Sequence, residues 1–461
     1  MKVIVLRIVV LLLALSPAVR LGAQAPAPRA AAGSSVAALL EEPTPADWQA
    51  LSRFDRTLTR REFEARLDGI FDPTHALRPY LGIGNDSAAL FASPAHDRPP
   101  LLVIHFAPAP AARTRLPVLF RSPAEFIQNQ TIAASRPLAG LRIAIEPADI
   151  GGHWAEMEDR SVDFRGFGRI NEGDLNLTVA LLLRERLAGL GAEIFLVRDR
   201  TEPVLAAQAP VLLNEIRQAL RQKPPALPES FFERAKGFRL DDPRQFEAAA
   251  GLLFTKTLET HARAMLVRRS FQPDVTIVLQ HNATAESTHG GLTKTNRNIF
   301  FVNGAFSADE LRQPAQRFRL FTKLLENVTP IEAEVAGAIS RRFKSRTGFP
   351  AVEYGNSATT RRVIKGDDYV VARNLAFNRN HDGPVVITEP YFMNQTDTLV
   401  RLLAGDFTGE KTIAGKQRTS IYREYVECVV EGLLDAYART PAPARRLPPQ
   451  RPSQPQASGH Q

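Results

Sequence analysis

The sequence predicts an α/β fold, with a mixed, largely parallel sheet flanked by helices and a small α+β domain before it. The first observation is an apolar strand over 141–145, a helix from Glu172 with apolar residues at every fourth position, and a strand over 192–197. That order predicts a right-handed crossover and therefore a parallel strand pair. The second observation is a pair of later apolar strands, which end at His281 and Glu389 and extend the sheet.

The amino terminus has the pattern of a cleaved secretory signal over residues 1–25. Lys2 and Arg7 accompany an apolar run over 8–15, and the small-residue segment Ala23-Gln24-Ala25 follows. The run is far shorter than the roughly 20 apolar residues that span a bilayer. We therefore expect an exported protein of the periplasm or cell envelope, with no stable membrane span.

Changes in composition predict the domain boundaries. The only cysteine, Cys428, excludes an intrachain disulfide, and 44% hydrophobic residues can supply a large core. After the signal we expect an Ala/Pro-rich linker over 26–44, a small α+β domain over 45–137, a main domain over 141–438 with an insertion over 202–269, and a disordered Pro/Arg tail over 439–461.

Local patterns predict the elements of the small domain. Thr59 and Glu62 have the spacing of a capping box at the start of a helix. Three apolar runs, over 80–83, 88–91 and 101–106, have the character of strands. No candidate functional site is evident there.

Carboxylates and imidazoles follow the strands of the main domain. Asp149 and His153 lie after the first strand, Glu172 opens the helix, and His281 and Glu389 end later strands. Zinc requires such ligands to converge from several backbone segments around an open position. Simpler explanations also exist: the helix dipole favours a carboxylate such as Glu172 by about 0.3–1 kcal/mol. Glu389 could be a solvated carboxylate at a strand end, His281 a satisfied histidine at the rim of the sheet, and His153 a surface residue of a loop.

Five segments in order resemble those of zinc-dependent N-acetylmuramoyl-L-alanine amidases, the cell-wall amidases. Residues 145–152 (IEPADIGG) resemble the family's I-D-P-G-H-G-G loop, and 172–177 (EGDLNL) resemble its E-x-x-x-N-L helix start. The other three are 191–198 (GAEIFLVR), similar to G-A-x-V-x-x-T-R; 274–281, similar to the strand that ends at a zinc histidine; and 389–394 (EPYFMN), similar to E-x-G-F-x-x-N.

The resemblance implies an amidase-like catalytic domain with one bound Zn²⁺. It implies hydrolysis, by zinc-activated water, of the amide between N-acetylmuramic acid and L-alanine in peptidoglycan, hence a role in peptidoglycan catabolism. By the same resemblance Glu172 and His281 are metal ligands, and Glu389 is the general acid/base that moves the water proton.

The chain departs from the family pattern at the first zinc ligand. Asp149 stands where the family has a histidine, Ile150 is inserted before the two glycines, and the nearest imidazole is His153. Asp149 could ligate zinc, His153 could reach the site, or the metal could be lost; position favours Asp149. The family's S-x-H-x-N is also changed, to Leu-Gln-His-Asn-Ala over 279–283, which puts the support of His281 in doubt.

These departures leave alternatives open. One is a catalytically inactive amidase-like domain that binds peptidoglycan or a cell-wall remodelling protein. Another is a zinc peptidase that cuts within the stem peptide. A nucleic-acid partner is not expected, because the Arg-Gly-Phe-Gly segment over 165–168 lacks the further aromatics of an RNA-binding strand and is better explained as a flexible glycine-rich loop.

Overall fold

The structure is a computed structural model that describes residues 35–40, 42–128, 135–222 and 227–438. The predicted signal over 1–25 and the predicted tail over 439–461 lie outside these residues. Among the described helices, none combines the length and the apolar character needed to cross a bilayer.

The strands are short and mostly apolar. They are β1 (Leu81–Ile83), β2 (Ser87–Leu90), β3 (Leu102–His105), β4 (Arg142–Pro147), β5 (Ser161–Phe164), β6 (Gly168–Asn171), β7 (Glu193–Leu196), β8 (Val275–Leu279), β9 (Asn298–Val302), β10 (Arg361–Arg362), β11 (Val370–Ala372), β12 (Val385–Pro390), β13 (Lys411–Ile413) and β14 (Lys416–Arg418).

The main sheet has seven strands in the order β10-β11-β9-β12-β8-β4-β7. Strands β7, β4, β8 and β12 are parallel neighbours, whereas β9 runs antiparallel to β12. Every residue of β8 and of β9 is buried, as expected for strands covered on both faces. The predicted mixed, largely parallel α/β fold is therefore confirmed.

The helices alternate with these strands. They are α1 (Val36–Leu40), α2 (Pro45–Ala50), α3 (Arg60–Arg66), α4 (Pro123–Gln128), α5 (Trp154–Met157), α6 (Glu172–Gly189), α7 (Ala209–Arg221), α8 (Pro243–Leu252), α9 (Glu259–Ser270), α10 (Ala308–Leu311), α11 (Pro314–Glu326), α12 (Thr329–Thr347), α13 (Ala376–Asn380), α14 (Thr396–Leu403) and α15 (Ile421–Tyr437). Single 3-10 or π turns add Leu51–Phe54, Leu67–Phe71, Arg78–Tyr80, Pro110–Ala112, Glu229–Ala235, Leu253–Leu258 and Ala285–His289.

Helices cover both faces of the main sheet. On one face α6, α12 and α15 contribute apolar side chains such as Leu183, Ile339 and Val429 to the largest core cluster. On the other face Val267 of α9 packs against Ala144 of β4. The sheet is thus held between two helical layers, which leaves its strand ends free to build a site.

The small α+β module contains an antiparallel sheet of β1, β2 and β3. The predicted capping box is present: Thr59 accepts from the backbone N–H of Glu62, and the Glu62 carboxylate accepts from Thr59. Its apolar core also includes Leu320 and Phe321 of α11. The module therefore completes its core with a helix of the main domain.

The segment over 202–269 forms a helical layer of its own. Its helices are α7 and the nearly continuous run of α8, a π turn and α9. Within the predicted linker, the described part contains α1, whose Val36 and Leu39 are buried with Leu212 of α7. Helix α1 packs there because it covers apolar side chains of the insertion that would otherwise be exposed to water.

Candidate functional site

Three predicted site residues meet at one edge of the main sheet. Strands β4, β8 and β12 are adjacent and parallel, so their carboxyl ends lie side by side. Asp149 follows β4, His281 follows β8, and Glu389 is the penultimate residue of β12. Glu172 joins them because it is the first residue of α6, which begins at the same edge.

A pocket of about 390 Å³ opens at this edge. Its wall includes Arg160, Glu172, His281, Glu389 and Met393, and the remaining lining is rich in small polar side chains. Polar residues of the segment after β8, among them Asn282 and Thr284, also line the pocket. The pocket can therefore offer hydrogen bonds from several directions to one bound molecule.

Asp149 and Glu172 form a buried carboxyl pair. Each is at most 4% exposed, and their side chains hydrogen-bond to each other. Asp149 has a φ of 57°, a left-handed conformation that a non-glycine residue adopts only when its surroundings require it. Arg198, two residues after β7, donates to the Pro147 carbonyl at 3.1 Å and also to the Asp149 carbonyl, and these bonds hold the loop in this conformation.

The guanidinium of Arg160 lies against both carboxyls. Its Nε is 3.2 Å from Asp149 Oδ1 and 3.8 Å from Glu172 Oε2. Burial would raise the pKa of Asp149, but Arg160 and the hydrogen bond from Glu172 outweigh burial and lower it. Burial and the negative charge of Asp149 raise the pKa of Glu172 well above its ordinary value. Asp149 therefore loses its proton at lower pH than Glu172 does, and the Arg160 cation lies against both carboxyls.

His281 is a neutral, oriented imidazole. It is 5% exposed, and burial lowers its pKa to about 3. Its Nδ1 lies 2.8 Å from the side-chain oxygen of Asn176, whose amide nitrogen donates to the Ala148 carbonyl at 2.9 Å. Because that oxygen can only accept, the proton is on Nδ1 and Nε2 is the acceptor. The Tyr425 ring packs edge-on against the imidazole at 5.5 Å.

Glu389 is partly buried on the wall of the same pocket. Burial raises the pKa of its carboxyl to about 7, while Arg373 and Arg160 act in the opposite direction. A carboxyl that titrates near neutrality can accept and return a proton, which suits the role predicted for Glu389. That role stays a prediction.

His153 lies outside this arrangement. Its side chain is exposed at the start of α5, and its ring packs on Trp154 with centroids 5.0 Å apart. It is not part of the pocket wall. Of the two candidates for the first ligand position, the structure brings Asp149 and not His153 to Glu172.

Sequence reasoning assigned no role to two residues that organise the site, Asn176 of the E-x-x-x-N-L match and Arg160. Asn176 was visible as one helical turn after Glu172, a spacing that puts both side chains on one face of α6. Arg160 precedes the hairpin of β5 and β6, where a glycine-rich flexible loop was expected over 165–168. The hairpin forms because Phe164 and Ile170 bury their side chains in the main core, and no motif in the sequence marks Arg160.

The predicted ligands do not form a zinc-binding arrangement. Throughout the described ranges, no group of three or more His, Cys, Asp and Glu side chains is placed to hold a metal ion. The positive charge that faces Asp149 and Glu172 is supplied by the chain itself, through Arg160. A divalent cation between these carboxyls would require Arg160 to move away.

Comparison with protein families and with characterised sequences finds no match. Among solved structures, the chain is similar to Cwp6 from Clostridium difficile, with 14% identity, a TM-score of 0.32, and coverage of 65% of this chain but only 29% of Cwp6. It is also similar to the N-acetylmuramyl-L-alanine amidase Ami1 from Mycobacterium smegmatis, with 14% identity, a TM-score of 0.32, and coverage of 65% and 98%.

A third similar structure is the CwlD amidase from Clostridioides difficile, solved in complex with the GerS lipoprotein. It is 11% identical, with a TM-score of 0.33 and coverage of 64% of this chain and 96% of CwlD. At these values the likeness adds no argument about the chemistry of the site, which depends on the residues described above.

Proposed function

We propose that residues 141–438 are a cell-wall amidase-like domain that binds peptidoglycan in the pocket at the sheet edge without zinc-dependent hydrolysis. The observation that carries the proposal is the guanidinium of Arg160 against Asp149 and Glu172. The ordered motif resemblance supports the ligand class, and the predicted signal over 1–25 would deliver the domain to the cell envelope.

Charge balance supports the absence of a metal. A zinc site concentrates negative or neutral donors around an open position. Here the Arg160 cation lies against both carboxyls and lowers the pKa of Asp149, whereas burial and the charge of Asp149 raise the pKa of Glu172. His281 adds a neutral ring that Asn176 already orients. The chain itself thus supplies a positive charge at the carboxyl pair.

The composition of the pocket supports a glycan-peptide ligand. Peptidoglycan offers hydroxyl, acetamido and peptide groups, each of which both donates and accepts hydrogen bonds. The pocket presents matching groups: the cation of Arg160, the acceptor Nε2 of His281, and the small polar side chains after β8. Met393 supplies an apolar contact on the wall.

The test combines metal analysis, sedimentation with purified sacculi, and product analysis on the full chain. We expect less than stoichiometric zinc, co-sedimentation with sacculi, and no release of stem peptides with a free L-alanine amino group. Stoichiometric zinc that is lost in His281→Ala, together with release of intact stem peptides, would contradict the proposal and favour the amidase reaction. Cleavage within the stem would instead favour a peptidase.

A pair of tryptophan variants localises the binding surface. Thr288 is exposed on the wall of the pocket, so Thr288→Trp narrows the opening without altering the buried cluster. Thr359 is also exposed but lies outside the pocket wall. We expect Thr288→Trp to weaken co-sedimentation and Thr359→Trp to leave it unchanged. Equal binding by both variants would place the sacculus contact elsewhere.

A further inference from the structure

A groove between the small module and the main domain lies apart from the sheet-edge pocket. Its volume is about 480 Å³, and three parts of the chain line it. The small module contributes Phe54 and Leu58, and the main domain contributes Leu325 of α11 and Ile331 of α12. The third part is the segment over 113–120, here called the strap. Neither the motif resemblance nor the proposed function involves this groove.

The strap exposes apolar side chains beside the groove. Val118 and Leu119 are 60% and 49% exposed, and both line the groove. Leu116 of the same segment is partly buried against the core of the small module. Single exposed apolar side chains are common, but adjacent ones that border a groove indicate a contact surface.

The backbone of the strap is held at its ends and is free between them. The N–H of Thr114 donates to the Arg56 carbonyl at 2.7 Å, and the N–H of Arg121, just after the strap, donates to the Asp274 carboxylate at 2.9 Å. Among the described residues, the backbone N–H groups over 118–120 have no hydrogen-bond partner. An extended peptide can pair with a free backbone of this kind.

A buried carboxyl also lines the groove. The Glu326 side chain is 6% exposed, and its Oε2 has no hydrogen-bond partner among the described residues. Burial raises the pKa of Glu326 to about 7, although Lys323 and Arg53 act in the opposite direction, and Arg53 lies 3.8 Å from Oε1. One buried acceptor thus stays unpaired at the groove, and a donor on a bound molecule would stabilise it.

The other charged side chains of the groove have partners within the protein. Arg113 forms an ion pair with Glu62. Arg66 donates to a backbone carbonyl of α11 at 3.3 Å, and Glu125 accepts from a backbone N–H at the start of α4. The lining therefore has no excess of either charge, and its selectivity depends on the apolar strap and on the unpaired oxygen of Glu326.

We propose that the groove binds an extended apolar segment of a partner protein that carries one lysine. Apolar side chains of that segment cover Val118 and Leu119, and its backbone pairs with the strap. Its lysine ammonium donates to Glu326 Oε2. An ammonium suits this position better than a neutral donor, because it also stabilises the ionised form of a buried carboxyl.

The first experiment selects ligands for the full chain from a displayed library of random seven-residue peptides. We expect the enriched peptides to combine apolar residues with one lysine. Val118→Asp should not enrich them, because it places a charge on the apolar surface of the strap. Val211→Asp, at a valine of α7 that is 63% exposed and outside the groove, should enrich them as the original protein does. The absence of any enriched peptide, or equal enrichment by both variants, would overturn the proposal.

The second experiment tests the contact with Glu326 by titration calorimetry of one enriched peptide. Replacement of its lysine by norleucine should weaken binding to the original protein by at least about tenfold, because a charge-assisted hydrogen bond is lost. Glu326→Gln should bind the lysine peptide and the norleucine peptide with similar, weak affinity. If Glu326→Gln discriminates between the two peptides as the original protein does, the lysine lies elsewhere and the proposal is wrong.

A second copy of the chain is the other candidate occupant of the groove. Sedimentation velocity of the full chain without peptide separates the two cases. We expect the same sedimentation coefficient for the original protein and for Val118→Asp over a wide range of concentration. A dimer that Val118→Asp abolishes would assign the groove to a second copy and would overturn the proposal.

Discussion

Arg160 determines what the carboxyl pair can do. Its guanidinium contacts Asp149 and Glu172, and the negative charge of Asp149 is the largest cause that raises the pKa of Arg160. Without such a partner, a buried carboxylate loses its hydration and has no electrostatic attraction that compensates for the loss. The same residue therefore stabilises the fold and supplies positive charge at the carboxyl pair where a metal was predicted.

The substitution Arg160→Ala tests this double role. We expect the free energy of unfolding to fall by on the order of 1–3 kcal/mol, a discounted figure because the arginine side chain is 42% exposed. With the cation gone, added zinc should recover part of the lost Tm and a chelator should reverse the recovery. Urea unfolding and thermal unfolding with and without zinc provide the measurement.

The control for Arg160→Ala is the double variant Arg160→Ala/Asp149→Asn, which removes both charges. Its unfolding free energy should exceed that of Arg160→Ala, and zinc should no longer stabilise it, because one carboxylate is missing. An additive loss in the double variant would show that the two side chains do not interact.

Asn176 connects the loop after β4 with the imidazole after β8. It is fully buried and bonds to both the Ala148 carbonyl and His281. Asn176→Ala leaves these two groups without partners, so we expect a loss of about 1–3 kcal/mol in urea unfolding. Asn85→Ala, at an exposed asparagine that accepts from Arg60, should change stability by less than about 0.5 kcal/mol. Similar losses in both variants would refute this role.

At the scale of elements, the site depends on how closely α6 approaches the loop after β4. A Cβ atom on Gly173 would lie 2.3 Å from the backbone carbon of Ile150 and 2.5 Å from its oxygen. Glycine is required there, since no flexible side chain can move to make room. The contact places Glu172 against Asp149.

Gly173→Ala is therefore expected to destabilise the protein by about 1–3 kcal/mol or more. Gly189→Ala serves as the matched control, because a Cβ atom at this last residue of α6 meets nothing within 4 Å. The control should be neutral or stabilising by up to about 1 kcal/mol. Thermal unfolding of both variants checks the difference, and a stable Gly173→Ala protein would contradict the close approach.

The sequence predicted the elements of the sheet better than the contacts between them. Buried strands such as β8 and β12 are visible as apolar runs, and α6 is visible from its four-residue apolar spacing. The position of Arg160 depends on the β5–β6 hairpin, which is held by a few buried residues among polar ones. Short local patterns do not encode that long-range packing.

The same limit applies to the site residues. Asp149, Glu172, His281 and Glu389 could be brought together from sequence because parallel strands share an edge. Whether they bind a metal depends on one guanidinium outside every motif. The sequence also did not show how His281 is oriented after the change in the motif over 279–283. The residue that orients it, Asn176, lies on α6 and not on the same strand end.

For the whole molecule, a buried glutamate on α12 predicts a pH dependence of stability. Glu332 is fully buried and accepts from the backbone N–H groups of Val385 and Asn303. Burial raises its pKa from 4.5 to about 7, with Lys323 acting in the opposite direction. Between these values the folded protein binds a proton that the unfolded chain has lost, so stability falls as pH rises.

We expect Glu332→Gln to flatten this decline. Unfolding free energies from urea titrations between about pH 5 and about pH 7 provide the measurement. Some slope should remain because burial also raises the pKa of Glu326 to about 7. Glu185→Gln, at an exposed residue of α6, should keep the original slope. An unchanged slope in Glu332→Gln would assign the effect to other groups.

The shared core of the small module and α11 has a consequence for how the chain acquires its structure. Arg66 of α3 donates to the Leu324 carbonyl, 258 residues away. Residues this far apart meet late and slowly, since a long loop must close before the contact forms. During synthesis the antiparallel sheet of the small module is made before α11, so the apolar side that α11 covers stays exposed to solvent until α11 leaves the ribosome. We expect a holding chaperone to improve the yield of folded protein by covering that side during this interval.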